Sequence, residues 1–549
     1  MSDQVKVTIQ GMHCDHCEVT VGAALKEAGL SQVDVDWRRG EAVGLAGSDF
    51  SVEKASEEVA KLGYSVVEVA AGTSAETATP AAAEDDDYDL LIIGSGSAAF
   101  AAAIKARDLG ARVGIIERET IGGTCVNIGC VPSKALLRAA EAYYRAGHSP
   151  FAGVGTSAGA VDLPALVEQK RGLVNQLRKE KYADLLDIYG IEYLEGVGRF
   201  TSGETIEVDG RPMRASRYLV ATGAAPWVPP IAGIDDTDYL TSTTALELQE
   251  VPGELIVVGA NAIGLELGQL FLHLGAKITW VEALDRIAPF EEPEISEALH
   301  SHLEGQGATL YAGAMAKEAG RGGDRVWLEV EVGGTTTRIE ADQILMATGR
   351  RARTEGLGLE KAGVDIDRRG HVVVDDQMRT TNPRVYAAGD VTDQPQFVYV
   401  AAMGGNIAAE NALRDAGRRI SFETMPRVTF TSPSIASVGL TEALAREQEY
   451  EVITSVLPLE AVPRALVDYE TDGLIKLVAD EASGRLLGAH ILAEGAGDVI
   501  QAAVMAIKYK ATIDEIAETF HPYLTMAEGL KLAAQAFGKD VKTLSCCAA

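Results

Sequence analysis

Apolar and polar positions change period several times along the chain, and the changes mark out its parts. VKVTI (5–9) alternates apolar and polar, as a half-buried strand does. CEVTVGAALKEAG (17–29) carries apolar residues at helical spacing and stops at a glycine. QVDVDW and EAVGLAG read as a strand pair around Arg39-Gly40. SVEKASEEVAKLG (51–63) is a second amphipathic helix, opening on Ser51 as N-cap, and YSVVEVA (64–70) is a last strand. The order βαββαβ predicts a ferredoxin-like unit over 1–70. AGTSAETATPAAAEDDD (71–87) has no apolar period and reads as a flexible tether.

Beyond the tether the pattern becomes buried strand, glycine turn, small-residue helix, second strand. YDLLIIGSGSAAFAAAIKARDLGARVGIIE (88–117) has it, and ELIVVGANAIGLELGQLFLHLGAKITWVE (254–282) repeats it. Two βαβ units predict an α/β protein with two Rossmann-like dinucleotide-binding domains. From about 427 onward, RVTFTSPSIASVG, LIKLVAD and LLGAHIL read as strands beside long helices, giving a separate α+β domain.

The 549 residues hold 47% hydrophobic positions and 57 glycines, ample for several cores and many tight strand-to-helix turns. Eighty acidic against 49 basic residues leave a net charge of −31, which disfavours nucleic acid and anionic membrane surfaces as partners. No apolar run reaches the ~20 residues of a membrane span, and MSDQVKVTIQ is not a signal peptide. A cytoplasmic location is therefore expected, where paired thiols are catalytic or metal-binding more often than structural. All six cysteines fall into close pairs: Cys14/Cys17, Cys125/Cys130 and the adjacent Cys546/Cys547. Such pairs exchange disulfides or grip a soft metal.

In the first βαβ unit, Gly94 and Gly96 permit a tight turn at a helix N-terminus, Ala99 lies one turn in, and Glu117 ends the next strand where it can accept from ribose hydroxyls. A purely structural turn is the plainer alternative. In the second unit Gly259 and Gly264 remain but Asn261 replaces the middle glycine, which degrades the fingerprint. Glu282 at the end of its second strand favours a free 2′-hydroxyl, as in NADH, although Arg286 close by could soften that preference; an exposed loop acid is the alternative. In IGGTCVNIGCVPSKALL the second cysteine starts a helix, whose N-terminus stabilises thiolate, with Pro132 near that start and Lys134 one turn in.

GGTCVNIGCVPSK, the ATG at 221–223, the ATGR at 347–350 and YAAGDVT at 386–392 resemble the flavin-dependent pyridine nucleotide-disulfide oxidoreductases across 88–549. The resemblance implies an FAD domain in two parts (88–235 and 356–426), an inserted NAD(P) domain (236–355) and a dimerisation domain (427–549) making a homodimer. It implies FAD contacts at Gly94, Gly96, Ala99, Glu117, Gly123, Thr124, Thr222, Gly223, Gly349 and Asp390, the last on the ribityl chain. It places NAD(P)H at Gly259, Gly264 and Glu282, pairs Lys134 with Glu266 near the flavin ring, and makes Cys130 the flavin-side thiol and Cys125 the exchanging one.

Disulfide-reducing members carry Glu five residues after the His of a His-Pro, forming an acid/base dyad. Here Met526 stands at that place after His521-Pro522, and Glu528 lies two residues beyond it, so protonation of a leaving thiolate is not provided for. The Cys546-Cys547 tail, Tyr523 in HPY and Tyr182 in EKYADL are similar to the mercuric reductases of this family, in which the tail of one subunit delivers Hg(II) to the redox pair of the other and the tyrosines line the delivery site. An ordinary core aromatic is the alternative for Tyr182. GMHCDHC (11–17) resembles a heavy-metal-associated domain, and Tyr64 fits its mercury type; His13 and His16 read as solvated loop residues, because two sulfurs satisfy Hg(II). The expected reaction is NAD(P)H-driven reduction of thiol-bound Hg(II) to Hg(0) through FAD and Cys125/Cys130. Family habit favours NADPH and Glu282 favours NADH. A lipoamide-dehydrogenase-like disulfide reductase with a fused metal domain, or a Cu(I) chaperone module on an inert flavoprotein, are the competing readings.

Overall fold

The computed structural model describes residues 4–10, 20–22, 24–26, 28–36, 40–47, 50–62, 64–71 and 87–539. The expectations for Cys14, Cys17, His13, His16, Cys546 and Cys547 lie outside these residues. The chain forms two compact units, 1–79 and 80–549.

In the first unit four antiparallel strands stand in the order Leu30–Asp36, Glu41–Ala46, Gln4–Gln10, Ser65–Ala71. This is the expected ferredoxin-like arrangement. Alternation buries Val7 and Ile9 from the first strand, and helix Val52–Lys61 presents Ala55 and Val59, one turn apart, to the same core. Ser51 caps that helix by accepting from the Lys54 N–H at 3.1 Å.

The second unit contains two parallel sheets. One runs Val385–Ala387, Ala215–Val220, Tyr88–Ile93, Val113–Glu117, Glu192–Glu195. The other runs Thr309–Tyr311, Lys277–Val281, Glu254–Val258, Gln343–Met346. Tyr88–Ile93 is buried at every position, Asp89 included, and Leu90–Ile93 is a continuous rather than alternating apolar run. Each parallel sheet is accompanied by a three-stranded antiparallel sheet, Gly198–Met213 and Ala314–Ala341. Helix Ser97–Asp108 crosses Val398–Arg414 so closely that a Cβ on Gly405 would lie 2.1 Å from the Ala98 carbonyl oxygen, which explains the small residues of both helices.

The C-terminal part is a five-stranded antiparallel sheet, ordered Arg427–Thr429, Ser434–Gly439, Leu486–Ala493, Leu474–Asp480, Val452–Pro458. RVTFTSPSIASVG is thus two strands rather than one. Pro433 has no N–H for a ladder and stands in the turn between them. Among the described residues, no helix is long and apolar enough to cross a membrane.

Candidate functional site

The cysteine pair is built by two short-range devices. Gly122 (φ 101°) and Gly123 (φ 65°) take left-handed conformations and start helix Gly123–Ile128, which carries Cys125. A Cβ on Gly123 would lie 2.6 Å from Gly96 Cα, so the cysteine loop rests directly on the first glycine turn. Gly129 then breaks the chain and caps Cys130–Gly147, putting Cys130 at the first helical position without a side-chain cap. A Cβ on Gly129 would meet the Thr124 carbonyl oxygen at 2.9 Å.

Cys125 and Cys130 are free thiols that shift each other's titration. Hydrogen bonding from Cys125, aided by the charge of Lys134 and opposed by burial, brings Cys130 down to about 7. The same contact, with burial, pushes Cys125 up. The pair is thus biased towards thiolate at Cys130 and thiol at Cys125. Lys134 Nζ bonds Glu266 Oε2 at 2.7 Å, and Glu266 Oε1 accepts from the Phe430 N–H at 2.9 Å. The Lys134 ammonium also lies 4.7 Å from the centre of the Phe430 ring. Residues 130, 266 and 430 are far apart in sequence, and nothing local at Phe430 announces its part.

These groups line a cavity of about 450 Å³ that also takes in Gly96, Arg350 and Asp390. A second cavity, of about 390 Å³, is lined by Gly94, Glu117, Gly123 and Thr222. The two share Gly96, Thr124, Ile128, Ala221 and Gly223, forming one slot that runs from the glycine turn to the thiols. Along it, Glu117 accepts from the Ser95 hydroxyl at 2.6 Å and the Glu119 N–H at 2.8 Å, while Ser95 Oγ accepts from Gly122 N at 3.1 Å. Thr222 donates to the Arg353 carbonyl at 2.7 Å, Gly349 has φ 118°, and Ala99 is fully buried in the helix. Burial raises the pKa of Asp390 and Arg350 opposes the rise. A slot with glycines and a helix N-terminus at one end and polar groups and thiols at the other fits FAD.

Tyr182 stands on a π-helical turn, Lys179–Ala183, a rare form frequent at functional sites. Its ring meets Phe100 edge-on at 4.9 Å and lies where a Cβ on Gly122 would be 3.4 Å away. Burial raises the pKa of its hydroxyl, and Ser97 opposes the rise. Tyr182 therefore packs beside the cysteine loop rather than in a remote core. Tyr523 is 65% exposed. His521 Nδ1 lies 3.0 Å from the Thr519 carbonyl oxygen, and no bond between His521 and Glu528 occurs among the described residues. Glu528 is itself buried with Oε2 unpartnered, and Met526 packs on the C-terminal core.

In the second unit Glu282 is not the exposed loop acid offered as an alternative. It is 8% exposed and accepts from Ala260 N at 2.7 Å and Leu284 N at 2.9 Å. Arg286 is turned to the carbonyls of Pro289 and Glu291, each at 2.9 Å.

The pyridine nucleotide-disulphide oxidoreductase profile matches residues 88–405, and the dimerisation domain of the same family matches 425–534. Mercuric reductase of Staphylococcus aureus is 51% identical over 543 residues, covering 99% of each chain. The chain belongs to the mercuric reductases of this family. Mercuric reductase of Streptomyces lividans is 51% identical over 467 residues, covering 84% of this chain and 98% of that one. Among solved structures, the HOCl-induced flavoprotein disulfide reductase RclA of Escherichia coli matches at TM-score 0.74 and 29% identity, over 82% of this chain and 99% of that one. LpdA of Mycobacterium tuberculosis matches at TM-score 0.73 and 28% identity, over 81% and 99%. The enzyme reduces Hg(II) with NAD(P)H and FAD and assembles as a homodimer through its dimerisation domain.

Proposed function

We propose that Cys125 and Cys130 are the atoms on which Hg(II) is reduced, and that the other two cysteine pairs serve them. The observation that carries this is the free thiol pair in the cavity wall, one member inclined to thiolate, with no His521–Glu528 dyad beside it. Binding Hg(II) forms two S–Hg bonds and releases the remaining thiol proton of Cys125. Bound FAD supplies two electrons taken from NAD(P)H. The metal accepts them, both S–Hg bonds open, Hg(0) departs and two thiolates remain. No leaving thiolate needs a proton from His521, which suits a metal substrate better than a disulfide.

The chain's own residues hold the site for this step. Glu266 keeps the Lys134 ammonium beside Cys130, where it favours thiolate. Asp390, Glu117, Gly94, Gly96, Ala99, Gly123, Thr124, Thr222, Gly223 and Gly349 seat the flavin. Gly259, Gly264 and Glu282 seat the nicotinamide nucleotide, and the carboxylate of Glu282 disfavours a 2′-phosphate. The domain limits expected from the sequence belong to this reading.

Hg(II) reaches the pair by thiolate exchange, never as a free ion. Cys14 and Cys17 collect it from small-thiol complexes, and Cys546 and Cys547 of one subunit pass it to Cys125 and Cys130 of the other, past Tyr182 and Tyr523. Such thiol complexes occur in the cytoplasm, where the enzyme is expected to act. Replacing Cys546 and Cys547 together by Ala should abolish turnover of thiol-bound Hg(II) while leaving flavin reduction by NAD(P)H unchanged. Unchanged Hg(II) turnover would remove the tail from the route.

A further inference from the structure

A row of polar side chains crosses the C-terminal sheet from strand to strand. Arg427 stands opposite Ser437, Ser437 opposite His490, and His490 opposite Lys476. Residues paired across neighbouring strands share a face, so the four form one line. Ser437, His490 and Lys476 are buried. Facing them is the acidic run Glu291-Glu292-Pro293-Glu294, which follows the second βαβ unit. Lys476 Nζ pairs with Glu292 at 3.0 Å, with Glu294 at 2.8 Å and with Glu442 at 3.0 Å. His490 Nε2 lies 3.8 Å from Glu292 Oε1, and Arg427 Nε lies 3.8 Å from Glu291 Oε1.

Buried ion pairs add little stability over well-packed apolar contacts, but they fix geometry. The position fixed here reaches the second glycine turn in two hydrogen bonds. Glu291 N–H donates to the Ala288 carbonyl at 3.0 Å, and Ala288 N–H donates to the Ala260 carbonyl at 2.8 Å. Ala260 stands between Gly259 and Asn261. Ala288 is buried with φ 42°, a left-handed value that an alanine keeps only when its surroundings impose it. We propose that Lys476 is a positioning residue for NAD(P)H. With His490 and Arg427 it pins the acidic run, the run holds Ala288 in its strained form, and Ala288 supports the turn that receives the nucleotide. This rests on the reading that Gly259, Gly264 and Glu282 seat the nicotinamide nucleotide. The C-terminal sheet then serves cofactor binding in its own chain as well as assembly.

The test is stopped-flow reduction of the flavin in the full-length holoenzyme over a range of NAD(P)H concentrations. Lys476→Met should raise the half-saturating NAD(P)H concentration about three- to thirtyfold, the span of coupling through a packed network. The limiting rate should move far less, and FAD should stay bound on gel filtration. Lys476→Arg keeps the charge and should recover most of the loss. In an Ala288→Gly background the loss caused by Lys476→Met should shrink, because glycine holds that φ without support. Wild-type half-saturation in Lys476→Met, an equal fall in limiting rate and FAD retention, or an undiminished loss in the Ala288→Gly background would overturn the proposal. If Lys476→Met does not fold, Glu292→Gln decides instead, since it leaves Lys476 two carboxylates; half-saturation should rise, and an unchanged value is the contrary result. Should Gly264→Ala leave the NAD(P)H requirement unmoved, the reading of the seat itself would fall.

Discussion

The two βαβ units have the same skeleton and different chemistry. Gly94 donates to the Ile116 carbonyl at 2.8 Å, and Gly259 donates to that of Val281 at 2.8 Å. Their φ values are 105° and 99°. A Cβ on either would strike a carbonyl oxygen, of Ala221 at 2.4 Å or Ala347 at 2.5 Å, each the alanine of an ATG run. The first glycine and the facing ATG are thus one device used twice. The units differ at the later positions. Gly96 and Asn261 both have negative φ, −79° and −106°, so that position does not itself demand glycine. A Cβ on Gly96 would meet Gly123 Cα only at 3.9 Å, an ordinary contact; it is Gly123, in the cysteine loop, that has no room for one, at 2.6 Å from Gly96 Cα. The second unit carries Asn261 at the matching position. Conversely, a Cβ on Gly264 would lie 1.8 Å from the Gly259 carbonyl oxygen, whereas its counterpart Ala99 carries one. Glycine pattern therefore reports what leans on each turn more than whether a nucleotide binds there.

The comparison breaks first at the thiols, which only the first unit carries. Cys125→Ala should lower Hg(II)-dependent NAD(P)H oxidation at least about a thousandfold, as expected for loss of a reacting group. Stopped-flow absorbance should still show flavin reduction by NAD(P)H. Next come the glycines. Gly94→Ala and Gly264→Ala each force a contact that backbone must yield to, at a cost of about 2–4 kcal/mol. Gly94→Ala should lose FAD on gel filtration. Gly264→Ala should keep FAD and raise the NAD(P)H requirement. Loss of both cofactors in either variant would mean that the units are not independent seats.

The two strand-end glutamates give a finer test. Glu282 accepts from two fixed backbone N–H groups, so Glu282→Gln must turn an amide NH2 towards one of them and should cost about 1–3 kcal/mol. Glu117 faces a Ser95 hydroxyl that can rotate to accept from an amide, so Glu117→Gln should cost less than about 1 kcal/mol. Thermal unfolding of the two variants ranks them. The smallest effect concerns Lys134. Alkylation of the reduced apoenzyme should rise with pH through an inflection near 7 at Cys130. Lys134→Met removes a charge that favours thiolate, so the inflection should move to higher pH.

The sequence exposed the skeleton because strand–turn–helix periods, the glycine turns and the cysteine helix are local. The Lys134–Glu266 pair implied by the family resemblance is an ion pair in the fold. Asn261 reads as a defect in the second fingerprint, although its φ of −106° needs no glycine. The sequence left Glu282 open between ribose ligand and surface acid, because burial by the Ala260 and Leu284 N–H groups depends on a turn that no periodicity encodes. It read one strand across Pro433 where the sheet folds back. Phe430 belongs to a chain segment that joins the cavity only in the fold.

The central claim is that this thiol pair takes a metal ion rather than a disulfide. The direct measurement is NAD(P)H oxidation by the full-length dimer in excess small thiol, with HgCl2 and with lipoamide in parallel. The account predicts a rate that depends on Hg(II), with release of Hg(0), and little response to lipoamide. Oxidation unmoved by Hg(II), or faster with lipoamide, would contradict it.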